Sequence, residues 1–232
     1  MPYFYGFDYT YLIFCLPPLL LALWAQYKVK STFAQYSKVA SDRGMTGRDA
    51  ARLILDANGL YDVPVSRISG ELTDHFDPRE NVIRLSDNVC DVRSAAAVGV
   101  AAHEAGHAVQ YAVGYGPMKL RSALVPVTNI GSRLSMPLVL LGILLSFEPL
   151  AYVGVILFSA TAIFQLVTLP VEFDASRRAL AALEGAGMSA EGVKSAKKVL
   201  SAAALTYVAA LLTAVGNLLR LLVLVRRNDD RR

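Results

Sequence analysis

His103 and His107 lie four residues apart, with Glu104 directly after the first, in the run His103-Glu104-Ala105-Gly106-His107. On a helix, residues four apart share a face, so both imidazoles can bind one Zn²⁺ at about 2 Å from a ring nitrogen. Glu104 then stands beside the place of the water to be activated, which suits it to act as a general base. The chain has three histidines in all, and two of them occupy this motif, on an Ala- and Val-rich stretch where an unpaired imidazole would be costly to bury.

A hydrolytic zinc site takes three protein ligands and keeps a fourth position open. No histidine follows His107. Met-turn peptidases continue the motif as H-x-x-G-x-x-H, and Gln110 and Val113 occupy the two decisive positions, which excludes that class. The third ligand must then be one of the downstream acids: Glu148, Glu172, Asp174, Glu184, Glu191, Asp229 or Asp230. Glu172 is the best placed of these, because it is expected to open a helix just after Pro170 and a membrane-length apolar run, at a fixed depth. Glu184 and Glu191 flank a Gly-containing turn, and the last two sit in a charged tail. The plainer alternative for Glu172 is an acid in the first turn of a helix, favoured there by the helix dipole.

Three segments carry a resemblance to a known family: Leu72-Thr73-Asp74-His75-Phe76-Asp77-Pro78, Val100-Ala101-Ala102-His103-Glu104-Ala105-Gly106-His107-Ala108-Val109-Gln110, and Pro170-Val171-Glu172-Phe173-Asp174-Ala175-Ser176-Arg177-Arg178. They resemble the YugP-like membrane zinc metallopeptidases, a group similar in pattern to the gluzincin membrane proteases that include HtpX and the CAAX prenyl protease. The resemblance covers most of the chain. It implies a metalloendopeptidase of a prokaryotic inner membrane, acting on protein or peptide substrates at the cytoplasmic face, with a role in clearing damaged membrane proteins. His103, His107 and Glu172 would hold the zinc and Glu104 would be the base. The wider gluzincin pattern reads E-x-x-A-D from the third ligand, whereas Ser176 stands four residues after Glu172. Asp174 does not simply replace that carboxylate. Two residues along a helix is a rotation of about 200°, so Asp174 is expected to turn from Glu172 toward a structural pairing with Arg178.

Two other classes compete with a protease of this kind. An intramembrane protease of the site-2 type would need an N-x-x-P-x-x-D-G-like motif in a later span, and the sequence has none. A non-catalytic membrane protein could retain the zinc site for partner binding, but the intact Glu104 and the lack of a fourth His or Cys ligand speak against it.

The elements that must position these residues are mostly apolar helices, since 54% of the 232 residues are hydrophobic. The fold expected is a mainly α membrane protein of gluzincin-like type with about four membrane helices, an active-site HExxH helix and a small antiparallel β-sheet. The spans read as Tyr9 to Ala25, with Pro17-Pro18 as a kink, then Leu134 to Phe147, Ala151 to Leu169 and Ala202 to Val225. The first is no cleaved signal peptide, because Asp8 precedes it and Lys28 and Lys30 follow. That bias places the N-terminus outside and residues 28–133 in the cytoplasm; the hairpin of residues 134–169 then returns Glu172 to the same face. Residues 170–200 supply the second active-site helix and a connecting helix, and residues 201–232 a C-terminal membrane helix with a basic tail. Arg220 inside the last run, and Arg226, Arg227, Arg231 and Arg232 after it, fit a simple crossing poorly.

Residues 28–133 should also hold a helix from Gly47 to Asn58, capped by Thr46 and stopped by Gly59, and the active-site helix from Ser94 to Ala112. Short strands are expected at Val63 to Ile68, Glu71 to Asp77 and Val82 to Leu85, with turns at Gly70 and Pro78-Arg79-Glu80-Asn81. In gluzincins an edge strand ahead of the metal helix binds the substrate backbone, and the strand of His75 resembles it. His75 itself could donate to the oxyanion, touch substrate or serve the hairpin, and is not expected to be a ligand. Tyr111, about 80° round the helix from His103, is expected to pack. Cys15 and Cys90 lie in different environments, so no disulfide is expected. The net charge of +4 comes from juxtamembrane Lys and Arg, which suits a lipid bilayer as partner. No nucleic-acid motif accompanies it, and the sequence does not set an oligomeric state.

Overall fold

The structure is a computed structural model that describes residues 9–229; Asp8 and the tail residues Asp230, Arg231 and Arg232 lie outside the described residues. Helices α1 (Tyr9–Phe14) and α2 (Leu16–Tyr36) lead to a one-turn 3₁₀ segment at Asp42–Gly44, then α3 (Gly47–Ala57). Three strands follow, β1 (Val65–Ile68), β2 (His75–Asp77) and β3 (Val82–Ser86). Helices α4 (Ala95–Ala112), α5 (Gly116–Leu144), α6 (Glu148–Gly185) and α7 (Ala190–Asp229) complete the chain. It divides into two compact units: residues 1–25, 120–169 and 206–232 form one, and residues 26–119 and 170–205 the other.

The second unit holds α3, the sheet and α4 around a core of Ile54, Leu55, Ile83, Leu85, Val89 and Val98. Helix α3 forms where expected. Thr46 accepts from the Asp49 amide, and Asp49 accepts in return from the Thr46 amide, so two orphan donors of the first turn are satisfied. Gly59, at φ +71°, stands just past its end. Helix α4 is poor in long side chains and buried on nearly every face, as its run of alanines allows. Ser94 caps its start by accepting from the Ala97 amide. At its end the Tyr115 amide bonds back to the Gln110 carbonyl and the Gly114 amide to that of Tyr111, with Gly114 in the left-handed region.

The sheet is mixed, not antiparallel as its turn signals suggest. Its order is β1-β3-β2, with β1 parallel to β3 and β2 antiparallel to it. The segment expected to continue β2 upstream, from Glu71, is instead a loop in which Leu72 has φ +55°. Asp74 ends that loop by accepting from the Ser86 amide at 2.7 Å and its hydroxyl at 2.9 Å. A carboxylate thus takes the partners that a strand would have used, and β1 is left to pair on the other side of β3. The central place of β3 follows from its burial, since Val82, Ile83, Leu85 and Ser86 are all enclosed. The β2–β3 turn at Pro78–Asn81 is as expected, with Asp77 accepting from the Arg79 amide and Asn81 at φ +52°.

Three of the described helices, α5, α6 and α7, are long and apolar enough to cross a membrane. The first expected span is broken at Cys15 into α1 and α2, because Pro17 and Pro18 offer no amide to the carbonyls four residues before them. Helix α5 starts at Gly116, well before Leu134, and carries Pro126 and Pro137 within it. Helix α6 runs unbroken through Pro170, so Glu172 lies inside a helix and not at its start; losing one backbone bond at Pro170 does not end a helix so strongly supported on both sides.

In the first unit, Val139, Ala151, Val155, Leu221 and Val225 form a small core. Small residues let backbones approach here. A β-carbon on Gly154 would lie 2.6 Å from the Ser135 carbonyl oxygen, and one on Gly216 would lie 2.0 Å from that of Phe14. Arg220, which a simple crossing handles poorly, has its guanidinium 5.5 Å from the Tyr11 ring centre.

Candidate metal centre

Each candidate ligand is placed by a helix of the second unit. Helix α4 sets His103 and His107 one turn apart, their rings edge to face with centres 4.6 Å apart. Helix α6 supplies Glu172 by packing against α4 at Gly106, where an added β-carbon would lie 2.6 Å from the Ala175 carbonyl oxygen. The glycine inside the motif is therefore a contact point between backbones, and a larger residue would push α6, with Glu172, away from α4.

Nε2 of His103 lies 3.2 Å from Oε2 of Glu172, and Nε2 of His107 lies 3.5 Å from the same oxygen. Ligand atoms on one tetrahedral zinc with bonds of about 2.0–2.1 Å are separated by about 3.4 Å, which is close to the distance of each imidazole nitrogen from the Glu172 oxygen. The three residues are the described cluster whose donor atoms lie close enough to share a metal, all within 4.8 Å of one another. Burial weakens the His107 imidazolium, but the carboxylates of Glu172 and Glu104 outweigh it and hold its pKa above the ordinary histidine range. A metal ion binding here must displace that proton, and the same two carboxylates supply the negative charge that draws the ion in.

Glu104 is buried beside the imidazoles, and one of its oxygens accepts from the Phe76 amide at 2.9 Å. That amide belongs to the outer strand β2, so the acid next to the candidate ligands is tied to the sheet edge. His75, the preceding residue of β2, has Nδ1 2.8 Å from the Thr73 carbonyl and is outside the cluster of donor atoms. Tyr111 packs its ring 5.7 Å from that of Phe76.

Around the ligands stand residues that the motif alone does not announce. Nδ1 of His103 is 3.1 Å from the Ser176 hydroxyl, and Nδ1 of His107 is 3.0 Å from Oε1 of Gln110. Gln110 could have been found from its place three residues after His107, on the same helical face. Asp174 pairs with Arg178 at 2.6 Å, as its spacing predicts, and with Arg177. It also accepts from the Gln110 amide at 2.9 Å, a contact across two helices that no local spacing reveals.

Comparison with known proteins now decides the family. The family model described as "Putative neutral zinc metallopeptidase" matches residues 11–226. The chain belongs to this family. It is also 49% identical over 211 residues, 90% of this chain and 94% of the other, to the "Putative membrane protease YugP" of Bacillus subtilis (strain 168). No solved structure matches. The neutral zinc metallopeptidase family accounts for a cluster of two imidazoles and one carboxylate, and the resemblance drawn from the three sequence segments is confirmed. Neither Cys15 nor Cys90 is in a disulfide.

Proposed function

We propose that the protein is a membrane-bound zinc endopeptidase that hydrolyses peptide bonds of protein substrates, with His103, His107 and Glu172 as the zinc ligands and Glu104 as the general base. The observation that carries this reading is the convergence of two Nε2 atoms on one oxygen of Glu172, with Glu104 next along the same helix. When bound, the zinc would polarise the scissile carbonyl and acidify a water molecule. Glu104 takes the proton of that water and delivers it to the leaving amine, a role that needs its carboxylate fixed. The Phe76 amide fixes it. Substrate laid along β2 as an added strand would pass the base at Phe76, where His75 can contact it or the developing oxyanion. The surrounding arrangement is of gluzincin type, with Ser176 in the place where the wider pattern has an acid.

The membrane topology belongs to the same reading. Tyr9 to Ala25 crosses as a kinked first span, making four with α5, α6 and α7, and the Lys and Arg after it keep the site on the cytoplasmic side of a prokaryotic inner membrane. Substrates reaching a site at that depth would be membrane or membrane-adjacent proteins, which suits quality control.

Zinc measured by elemental analysis on the detergent-purified protein tests the site. Wild type and Glu104→Gln are expected to hold about one zinc per chain, and His103→Ala and Glu172→Ala to lose it. Glu104→Gln is also expected to abolish cleavage of an unfolded membrane-protein substrate, a loss of about 10³-fold or more. Retained turnover in that variant removes Glu104 from the role of base; zinc retained by Glu172→Ala overturns the ligand set.

A further inference from the structure

The Gln110 amide is fully enclosed, at 0% exposure, and both of its ends are committed. Its nitrogen lies 2.8 Å from the Val171 carbonyl oxygen and 2.9 Å from Oδ2 of Asp174. A carbonyl and an ionised carboxylate can only accept, so the NH₂ group must face them. Asp174 is held as the anion by the guanidinium groups of Arg177 and Arg178. The opposite end, Oε1, then necessarily faces Nδ1 of His107 at 3.0 Å, and an amide oxygen can only accept. A bare Nδ1 would put two acceptors 3.0 Å apart in a buried place, a closer and costlier contact than Nε2 makes with Oε2 of Glu172 at 3.5 Å.

We propose that Gln110 is a positioning residue of the metal centre: oriented by Asp174 and the Val171 carbonyl, it keeps the proton of His107 on Nδ1 and so leaves Nε2 to the metal beside Glu172. The order of donors runs from the arginines to Asp174, from the Gln110 nitrogen to Asp174, and from His107 to the Gln110 oxygen. A neutral amide does here what a carboxylate does beside many metal-bound histidines, orienting the ring and holding one nitrogen protonated. Its neutrality suits the neighbourhood, since a carboxylate at this position would be buried against Asp174. The relay also spans the two helices of the site, because Gln110 belongs to α4 while Val171 and Asp174 belong to α6. Ligand orientation and helix packing are thereby coupled. His103, whose Nδ1 meets only the Ser176 hydroxyl, has a partner able to donate or accept and is not constrained in the same way.

This inference rests on the proposed zinc site for its purpose, but its test does not need the metal. With three histidines in the chain, ¹⁵N-histidine labelling gives three side-chain spectra, assigned by His75→Ala and His103→Ala. In metal-free wild type the neutral ring of His107 is expected to carry its proton on Nδ1. In Gln110→Met, of similar length but unable to hydrogen-bond, the neutral ring is expected to move toward the Nε2–H form, and zinc affinity measured by chelator competition to fall about 10- to 100-fold. The milder variant Asp174→Asn removes the anion that orients the Gln110 nitrogen but leaves the Val171 carbonyl to hold it. It is expected to lose part of the Nδ1 preference and less affinity than Gln110→Met, and it carries the test if Gln110→Met does not fold; unchanged Nδ1 protonation and affinity in it overturn the part given to Asp174. A bare Nδ1 on neutral His107 in wild type, or unchanged affinity in Gln110→Met, overturns the inference. Absence of zinc from wild type would instead overturn the proposed function, while the ring spectra still decide the role of Gln110.

Discussion

The two units use the same device to bring helices together and surround it with opposite chemistry. In the second unit Gly106 admits the Ala175 carbonyl, and in the first Gly154 admits that of Ser135. Around Gly106 the polar groups are paired: Glu104 with the Phe76 amide, Gln110 with Asp174, and Asp174 with two arginines. Its surface carries ion pairs such as Arg48 with Asp91 and Arg67 with Asp87. The helices around Gly154 turn Leu140, Leu144, Ile156 and Leu166 outward, with Leu144 78% exposed. An apolar exterior over a thin core is stable where the solvent is hydrocarbon, and an ion-paired exterior over a mixed core where it is water. One unit has the surface of a membrane anchor and the other carries the candidate metal centre.

The sharpest way to break this comparison is to fill the glycine of the unit that holds the candidate metal centre. Gly106→Leu drives a side chain into the Ala175 backbone, and α6 must withdraw from α4. A loss of about 3 kcal/mol or more is expected, with zinc content falling below one per chain. Both are read from a thermal melt and elemental analysis of the same detergent preparation. Normal zinc in a stable Gly106→Leu protein would mean that the backbone contact does not place Glu172.

The counterpart in the anchoring unit is Gly154→Leu, which meets the Ser135 carbonyl and Val139. Overpacking there is expected to cost about 1–3 kcal/mol, with zinc still at one per chain. If zinc is lost as well, the two regions do not divide the work as their surfaces indicate.

How much of this could be read from the residues alone differs between the two units. The motif His103 to His107 and the acid Glu172 were legible, because i, i+4 spacing and a short list of downstream acids leave little choice. The cap at Thr46 and the turn at Pro78–Asn81 were legible for the same reason, since their determinants are local. The parallel pairing of β1 was not, because it depends on Asp74 reaching Ser86, twelve residues away. Nor was the continuity of α6 through Pro170, since a proline reads as a start when the packing on both sides is unknown. Gln110 was visible as a residue but not as a contact, for its partners Val171 and Asp174 lie on another helix more than sixty positions on.

A smaller effect distinguishes the two imidazoles of the candidate metal centre. Ser176→Ala removes the hydroxyl at Nδ1 of His103 without creating a large cavity. Since that partner is a single neutral group, zinc affinity is expected to drop only about threefold to tenfold, less than for Gln110→Met. An equal loss in the two variants would show that the buried amide relay has no advantage over a hydroxyl.

The smallest expected effect lies at the sheet edge. Burial, with the nearby Glu104 charge added, raises the Asp74 carboxyl above the ordinary range, and the bonds from Ser86 only partly offset it. A group whose pKa is higher folded than unfolded contributes stability at low pH and loses it as pH rises through the folded value. Asp74→Asn keeps an acceptor for the Ser86 amide and cannot ionise. Relative to wild type the variant should therefore gain stability as pH rises through the raised carboxyl range and then level off, with a difference at neutral pH within about 1 kcal/mol. Denaturation midpoints across that range measure it. A difference that does not change with pH would mean that Ser86 fully compensates the buried charge, and that the loop ending at Asp74 is held by hydrogen bonding alone.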